Sequence, residues 1–447
     1  MYDQTGRMPG SSDLSLWNDL GFTDNPFDSR SLAANSEGLT LLVGREREKR
    51  ELMSKLTSST LHASLEGDNG VGKTSLVLVT VYEAIQKRFA GTLGQTLVPV
   101  DGVLQLGTDA NVFHREALLA IAQSLIKHEG HFKDLRLTTP NLSELKRWMN
   151  EPIVSSGGGG VQILGIGAEG QKTDEVNTSV GFENSGLERL VRDALKKVFP
   201  TQSAGGLVAI IDNVELLGRS SEAGRVLEKI RDTTLSLPGV RWVLCGAKGI
   251  IRASVSSPRL NGRISRPIEV TPIADSRIEE LIGARLNHFA ARDGAVCPVG
   301  ATEFLYLYEM CHANLRDAFR YAQDFCSWLE IEDKLHLPQV EYLPTLKQWL
   351  ALEAQEITAS IRLQPRMWQL FDDLAALGGV CSPSDHEALG FNSPQRMRSN
   401  FAEVQRVGLI DAEIDEDDTR RRTVTLTAKG WLVHHARKVA GETVEVH

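Results

Sequence analysis

Apolar residues along this chain recur with two alternating rhythms. From Leu61 to about Val270, short apolar runs such as LHASL, TLVPV, LVAII and VRWVLC alternate with stretches of helical periodicity, among them TSLVLVTVYEAIQKRF, HREALLAIAQSLIK and GLERLVRDALKKVF. Continuous apolar strands separated by helices of ten or more residues predict a parallel sheet covered on both faces. After Pro272 only the helical rhythm remains, through DSRIEELIGARLNHF, ATEFLYLYEMCHANLRDAFRYAQDFCSWLE and LPTLKQWLALEAQEITASI. From about Leu363 it changes again: helix (RMWQLFDDLAAL), short helix (SPSDHEAL), longer helix (SPQRMRSNFAEVQRVG), then LIDAEI and TVTLTAKG around the charged turn DEDDTRRR. Three helices and a two-stranded wing predict a winged helix-turn-helix.

The division expected is an N-terminal arm over residues 1–40, an α/β core over 41–271, a helical lid over 272–362 and a winged-helix domain over 363–447. The arm, rich in Ser, Asp, Asn and Gly, is expected to pack on the first domain. One stretch interrupts the core: residues 155–186 open on a glycine run and continue as VQILGIGAE and NTSVGFE, two alternating segments that predict a hairpin, either decorating the sheet or, as a mobile element, touching DNA or a neighbouring subunit.

Length and composition narrow the class. A chain of 447 residues, 41% hydrophobic and 24% charged, accommodates two or three globular domains. No basic segment leads into an apolar one at the start, and no eighteen consecutive residues are apolar, so neither a signal peptide nor a membrane span is expected. Five scattered cysteines without C-x-x-C spacing suggest neither disulfides nor zinc and fit a reducing cytoplasm. A net charge of -9 argues against a surface that coats nucleic acid, while leaving room for a local basic patch.

The chemistry is concentrated in "GDNGVGKTS", residues 67–75, set between an apolar run and a helix. This is the phosphate-cradling P-loop pattern in the context it requires. Gly67, Asn69, Gly70, Gly72, Lys73, Thr74 and Ser75 are the expected nucleotide contacts. Lys73 serves the β- and γ-phosphates and Thr74 takes one Mg²⁺ position. A metal-binding carboxylate is expected at the end of a neighbouring buried strand, and "LVAIIDNVE" supplies Asp212 there. The next residue is Asn213 rather than an acid that could polarise water, so hydrolysis is expected to be slow or to depend on Glu215 or a partner. The end of VRWVLCGAKG, Cys245 to Lys248, is where a γ-phosphate sensor would lie, and "ANLRDA" places Arg316 at the start of a lid helix, able to reach the phosphates.

The order "NPF" (Asn25 to Phe27), "VGRERE" (Val43 to Glu48), "GDNGVGKT", "IIDNVE", "LCGAKG", "ANLRDA" and a terminal winged helix resembles the AAA+ ATPases of the origin-recognition and replication-initiator clade. That resemblance covers most of residues 20 to 435. It implies an αβα ATPase core using ATP and Mg²⁺, Val43 and Arg45 beside the adenine, self-association, and an arginine finger acting on a neighbouring subunit. Arg259, Arg263 and Arg266 lie in the region of the finger, with Arg263 preferred. Asn213 and the 155–186 segment depart from the initiator pattern. P-loop ATPases of signalling, transposition and bacterial defence share much of this layout, and leave open a second output: control of a protein effector such as a nuclease, with the winged helix as the docking module. The first output is double-stranded DNA. The third C-terminal helix carries Arg396, Arg398 and Arg406 against Glu403, with Gln395 available for base edges or phosphates, and Arg421 follows in the wing. Acids at the wing tip, Asp415 to Asp418, would repel phosphate.

Overall fold

The computed structural model describes residues 12–135, 137–150, 186–214, 220–254, 257–415 and 421–445. Its first sheet contains β1 (Ala63–Glu66), β2 (Thr96–Pro99), β3 (Leu104–Gln105), β4 (Gly205–Asp212), β5 (Val240–Gly246) and β6 (Ile268–Glu269). The order is β2-β4-β5-β1-β6, with β3 also on β4, and every pairing is parallel. The strands are apolar on both sides because both sides are covered. On β4, Leu207, Ala209 and Ile211 face one helical layer, whereas Val208 and Ile210 face the other. The first layer contains α5 (Ala110–Lys127), α8 (Leu187–Val198), α9 (Ser220–Ile230) and the short α10 (Ile250–Ser254); the second contains α3 (Glu46–Ser58) and α4 (Lys73–Phe89). The expected parallel α/β core is therefore present. Two short helices that the periodicity did not resolve, α6 (Glu129–Asp134) and α7 (Ser143–Asn150), extend the first layer. The hairpin expected at 155–186 lies outside the described residues apart from Gly186.

Four helices follow the sheet: α11 (Ile278–Phe289), α12 (Ala301–Met310), α13 (Leu315–Ile331) and α14 (Gln339–Ala359). Their core also takes in the arm, which begins with α1 (Ser12–Asp19) and leads to α2 (Ser36–Leu41). Trp17 and Phe22 are buried there, and Phe27 stacks on Phe304 at 6.2 Å. Asn25 shapes the turn by accepting the Phe27 N–H at 2.8 Å and donating to Gln323. The arm thus packs chiefly on the lid helices rather than on the first domain, because its aromatic residues find an apolar face there. It then crosses to the P-loop helix, where the Leu32 N–H donates to Ser75 Oγ at 3.0 Å.

The C-terminal part holds α15 (Pro365–Ala376), a 3-10 turn at Pro383–His386, α16 (Pro394–Arg406) and an antiparallel sheet of β7 (Val380–Cys381), β8 (Ile410–Asp415) and β9 (Arg421–Leu426) in the order β7-β9-β8. A last helix, α17 (Ala428–Glu445), had no counterpart in the sequence reading. It stitches the two helical cores together: Leu432 is buried among the lid helices and the adjacent Val433 in the C-terminal core. A second tie is His312, stacked on Trp431 with ring centroids 4.4 Å apart. His312 and Ala313 both have left-handed backbones, φ 51° and 60°, in the turn that leads into α13.

Candidate functional site

The P-loop leaves the carboxyl end of β1 and enters α4, and Asp212 ends β4, two strands away across β5. Ligands of open parallel sheets bind outside these strand ends. Here a cavity of about 290 Å³ opens between the loop, the arm and the lid. Tight backbone turns shape the loop. Gly70 (φ 82°) presses against the lid so closely that a Cβ there would stand 2.2 Å from Asn314 Oδ1, and a Cβ on Gly67 would stand 2.3 Å from the Val270 carbonyl oxygen.

Lys73 is buried, and its Nζ donates to the Gly67 and Asp68 carbonyls at 2.8 and 3.1 Å. Thr74 Oγ1 donates to Asp212 Oδ2 at 2.6 Å, and the other carboxylate oxygen accepts the Asn213 N–H. Asn213 takes φ 53°, a left-handed conformation that Asn tolerates better than most residues. Asn69, Gly70, Gly72, Lys73, Thr74, Ser75, Val43, Arg45 and Arg316 line the cavity, as does Asp212. Gly67 supports it from beneath through its carbonyl.

Arg45 lines the cavity but is occupied as a brace. The residue is 3% exposed, and its guanidinium donates to the carbonyls of Thr271 at 2.6 Å and Val71 at 2.8 Å and pairs with Glu48 at 3.2 Å. Burial lowers its pKa, and Glu48 opposes that shift. Arg316 is exposed at the start of α13, with its Cβ beside Gly70. The segment Cys245 to Lys248 does not line the cavity; Lys248 instead pairs with Glu269 at 2.7 Å. Glu215 lies outside the described residues.

Sequence reasoning missed two contributors. Arg285 of α11 is buried, donates to the Pro26 and Asp28 carbonyls at 2.8 and 3.2 Å and lies 4.0 Å over the Phe319 ring. Burial pushes its pKa down to about 10. Arg30 comes from the arm and holds Asp28 at 2.6 Å; burial pushes the Asp28 carboxyl up, but Arg30 outweighs it and keeps the group below its ordinary range. No sequence motif marks either arginine, since only the fold brings arm and lid over the loop. Among the described residues, five cationic side chains (Arg30, Arg45, Lys73, Arg285, Arg316) line the cavity against two carboxylates (Asp28, Asp212), in a chain of net charge -9. Such a pocket selects anions. Both carboxylates already have partners, so the described lining contains no free acid to polarise water.

The remaining candidates lie elsewhere. Arg263 is exposed and lines a different cavity, near the amino-terminal ends of the strands. Arg259 pairs with Glu228 at 3.7 Å, and the Arg266 carbonyl accepts from Lys55. On α16, Gln395 and Arg396 are exposed at the end capped by Ser393, whereas the half-buried Arg398 keeps Nε and Nη2 without a hydrogen-bond partner. The Arg421 side chain and residues 416–420 of the wing lie outside the described residues.

No family model and no curated protein matches the sequence. Solved structures do resemble the chain over most of its length. The Walker-type ATPase PABY2304 of Pyrococcus abyssi is 16% identical over 92% of this chain and 99% of its own, at a TM-score of 0.45. Drosophila ORC bound to DNA is 14% identical over 98% and 95%, at 0.41. The ORC1 protein of Aeropyrum pernix, solved in complex with DNA, is 13% identical over 92% of this chain and 98% of its own, at 0.42.

Proposed function

We propose that this protein is an ATPase that binds ATP with Mg²⁺ between sheet, arm and lid and engages double-stranded DNA through its C-terminal helices. The observation that carries the nucleotide half is the pairing of Thr74 Oγ1 with Asp212 at 2.6 Å beside a buried Lys73 anchored on the P-loop. A hydroxyl and a carboxylate are hard oxygen donors, and Mg²⁺ characteristically takes one or two such protein groups together with phosphate oxygens. Thr74 and Asp212 would hold the metal, which would supply charge neutralisation at the phosphates. Lys73 and Arg316 offer cations to the phosphates, Arg285 adds a third from the lid, and Val43 and Leu41 give the cavity an apolar wall. With Asn213 following Asp212, hydrolysis is either slow or dependent on Glu215 or a partner.

The DNA half rests on the exposed Gln395 and Arg396 at the amino end of α16. Self-association rests on Arg263, which is exposed and remote from its own cavity, as a residue serving a neighbouring subunit's nucleotide must be. The test is anisotropy of a labelled duplex with ATP, with ADP and with Lys73→Ala. Binding that requires ATP and is lost in the variant fits the reading; normal ATP affinity in Lys73→Ala refutes the nucleotide site. Absence of DNA binding at low salt in every state moves the output to a protein effector.

A further inference from the structure

A second cavity, of about 350 Å³, lies at the opposite end of the strands from the P-loop, between the starts of β1 and β5 and the segment leading into β4. Its charged wall consists of Lys55, Arg241 and Arg263, and among the described residues no carboxylate lines it. In a chain of net charge -9 a purely cationic pocket is not background.

Arg241 sits deepest. The residue is 8% exposed, its Nη2 donates to the Gln202 carbonyl at 2.7 Å, and its buried Nε has no partner. Burial lowers its pKa, with no neighbouring acid acting against the shift. A guanidinium withdrawn from water without a counter-ion is an expensive arrangement. The other groups do not relieve it. His62 is neutral, since Nδ1 accepts the Trp242 N–H at 3.3 Å while Nε2 meets the Leu235 carbonyl at 2.8 Å. Lys55 donates to Ser265 and to the Arg266 carbonyl, and its acid partner Glu51, at 3.7 Å, stands outside the pocket. Arg263 is at the exposed rim; Asp232, which feels its charge, is already paired with Arg231.

We propose that this cavity is an oxyanion site that takes the phosphoryl group of a small ligand, either inorganic phosphate or a compact phosphate ester, on Arg241 with Arg263 and Lys55. A planar guanidinium suits a tetrahedral oxyanion. The depth of Arg241 excludes a duplex backbone, and the apolar walls from Leu56, Phe199 and Leu237 leave room for the body of an ester. The site is separate from the nucleotide cavity and does not require the ATPase reading, with which it shares Arg263 alone.

The test uses the full chain carrying Lys73→Ala, so that the P-loop cannot supply the signal. Its melting temperature is followed against sodium phosphate at ionic strength matched with sodium chloride, with ribose 5-phosphate as a second arm. The expected result is a saturable rise in melting temperature that Arg241→Met abolishes, while Arg241→Met raises the starting temperature by removing an uncompensated charge. Arg263→Gln, at an exposed position on which the fold does not depend, shifts half-saturation to several-fold higher phosphate and keeps the test decisive if Arg241→Met does not fold. Tighter binding of ribose 5-phosphate than of phosphate identifies an ester ligand, and the reverse order identifies the free anion. A phosphate response that is absent, or that survives both substitutions unchanged, overturns the proposal.

Discussion

Arg45→Met separates two roles that the sequence could not distinguish. The resemblance puts Arg45 beside the base, whereas in the fold its guanidinium ties three segments together: the start of α3 through Glu48, the P-loop through the Val71 carbonyl, and the junction of sheet and lid through the Thr271 carbonyl. Methionine preserves much of the buried stem but removes every donor and leaves Glu48, whose side chain is 15% exposed, without its counter-charge. Removing one partner of a buried ion pair costs about 3–5 kcal/mol. For a cooperative unit of 150–250 residues that is a fall of about 6–20 °C in melting temperature. Thermal unfolding followed by near-ultraviolet dichroism, together with anisotropy of a fluorescent ATP analogue, reads both consequences. The brace requires a large loss of stability in the absence of nucleotide, with weakened ATP binding as a result of the loosened loop. An unchanged melting temperature accompanied by lost ATP affinity would refute the reasoning and return Arg45 to the ligand.

Asn213→Glu installs an acid after Asp212 and is expected to raise ATP turnover by about 10-fold or more, at a stability cost of about 1–2 kcal/mol for a left-handed Glu; a phosphate-release assay with unchanged turnover would show that water is polarised elsewhere. His62 is held down to about pKa 4, chiefly by burial and further by Arg263 and Arg241. Between about pH 6.5 and pH 4 the unfolded chain takes up a proton that the native ring refuses, so acid removes about 3 kcal/mol of stability over that interval. His62→Gln flattens this part of a denaturation-versus-pH profile, and an unaltered slope would exclude the ring as its source. Arg396→Ala is expected to lower the salt dependence of duplex binding by about one unit of log–log slope; a wild-type slope would remove Arg396 from the contact.

The P-loop was legible because its chemistry is local. Gly67 to Thr74 must be contiguous to turn their amides inward, and Asp212 is announced by the apolar strand that precedes it. Alternating strands and helices exposed the parallel sheet for the same reason, since periodicity records which faces are covered. Arg285 and Arg30 were not legible, because nothing in their own segments distinguishes a cation aimed at a cavity from one aimed at water; the fold brings Arg30 over the loop with the arm and Arg285 with the lid helix α11. Arg241 was hidden in a strand that reads as ordinary core. The helix α17 was missed because an apolar pair such as Leu432 and Val433, serving two cores at once, blurs the single stripe by which a helix is recognised.

The turn at His312 and Ala313 joins the P-loop to the last helix through two direct contacts. Its far end, Asn314, abuts Gly70 at the tip of the P-loop, and its near end stacks on Trp431. Two successive left-handed residues leave such a hinge little slack, each costing on the order of 1–3 kcal/mol that neighbouring contacts must hold in place. Asn314 and the indole of α17 are thus joined by a short, conformationally restricted turn rather than by a soft loop. Because linkage between two binding equilibria is reciprocal, any influence of the P-loop on the C-terminal helices along this turn would be matched by an equal one in the other direction.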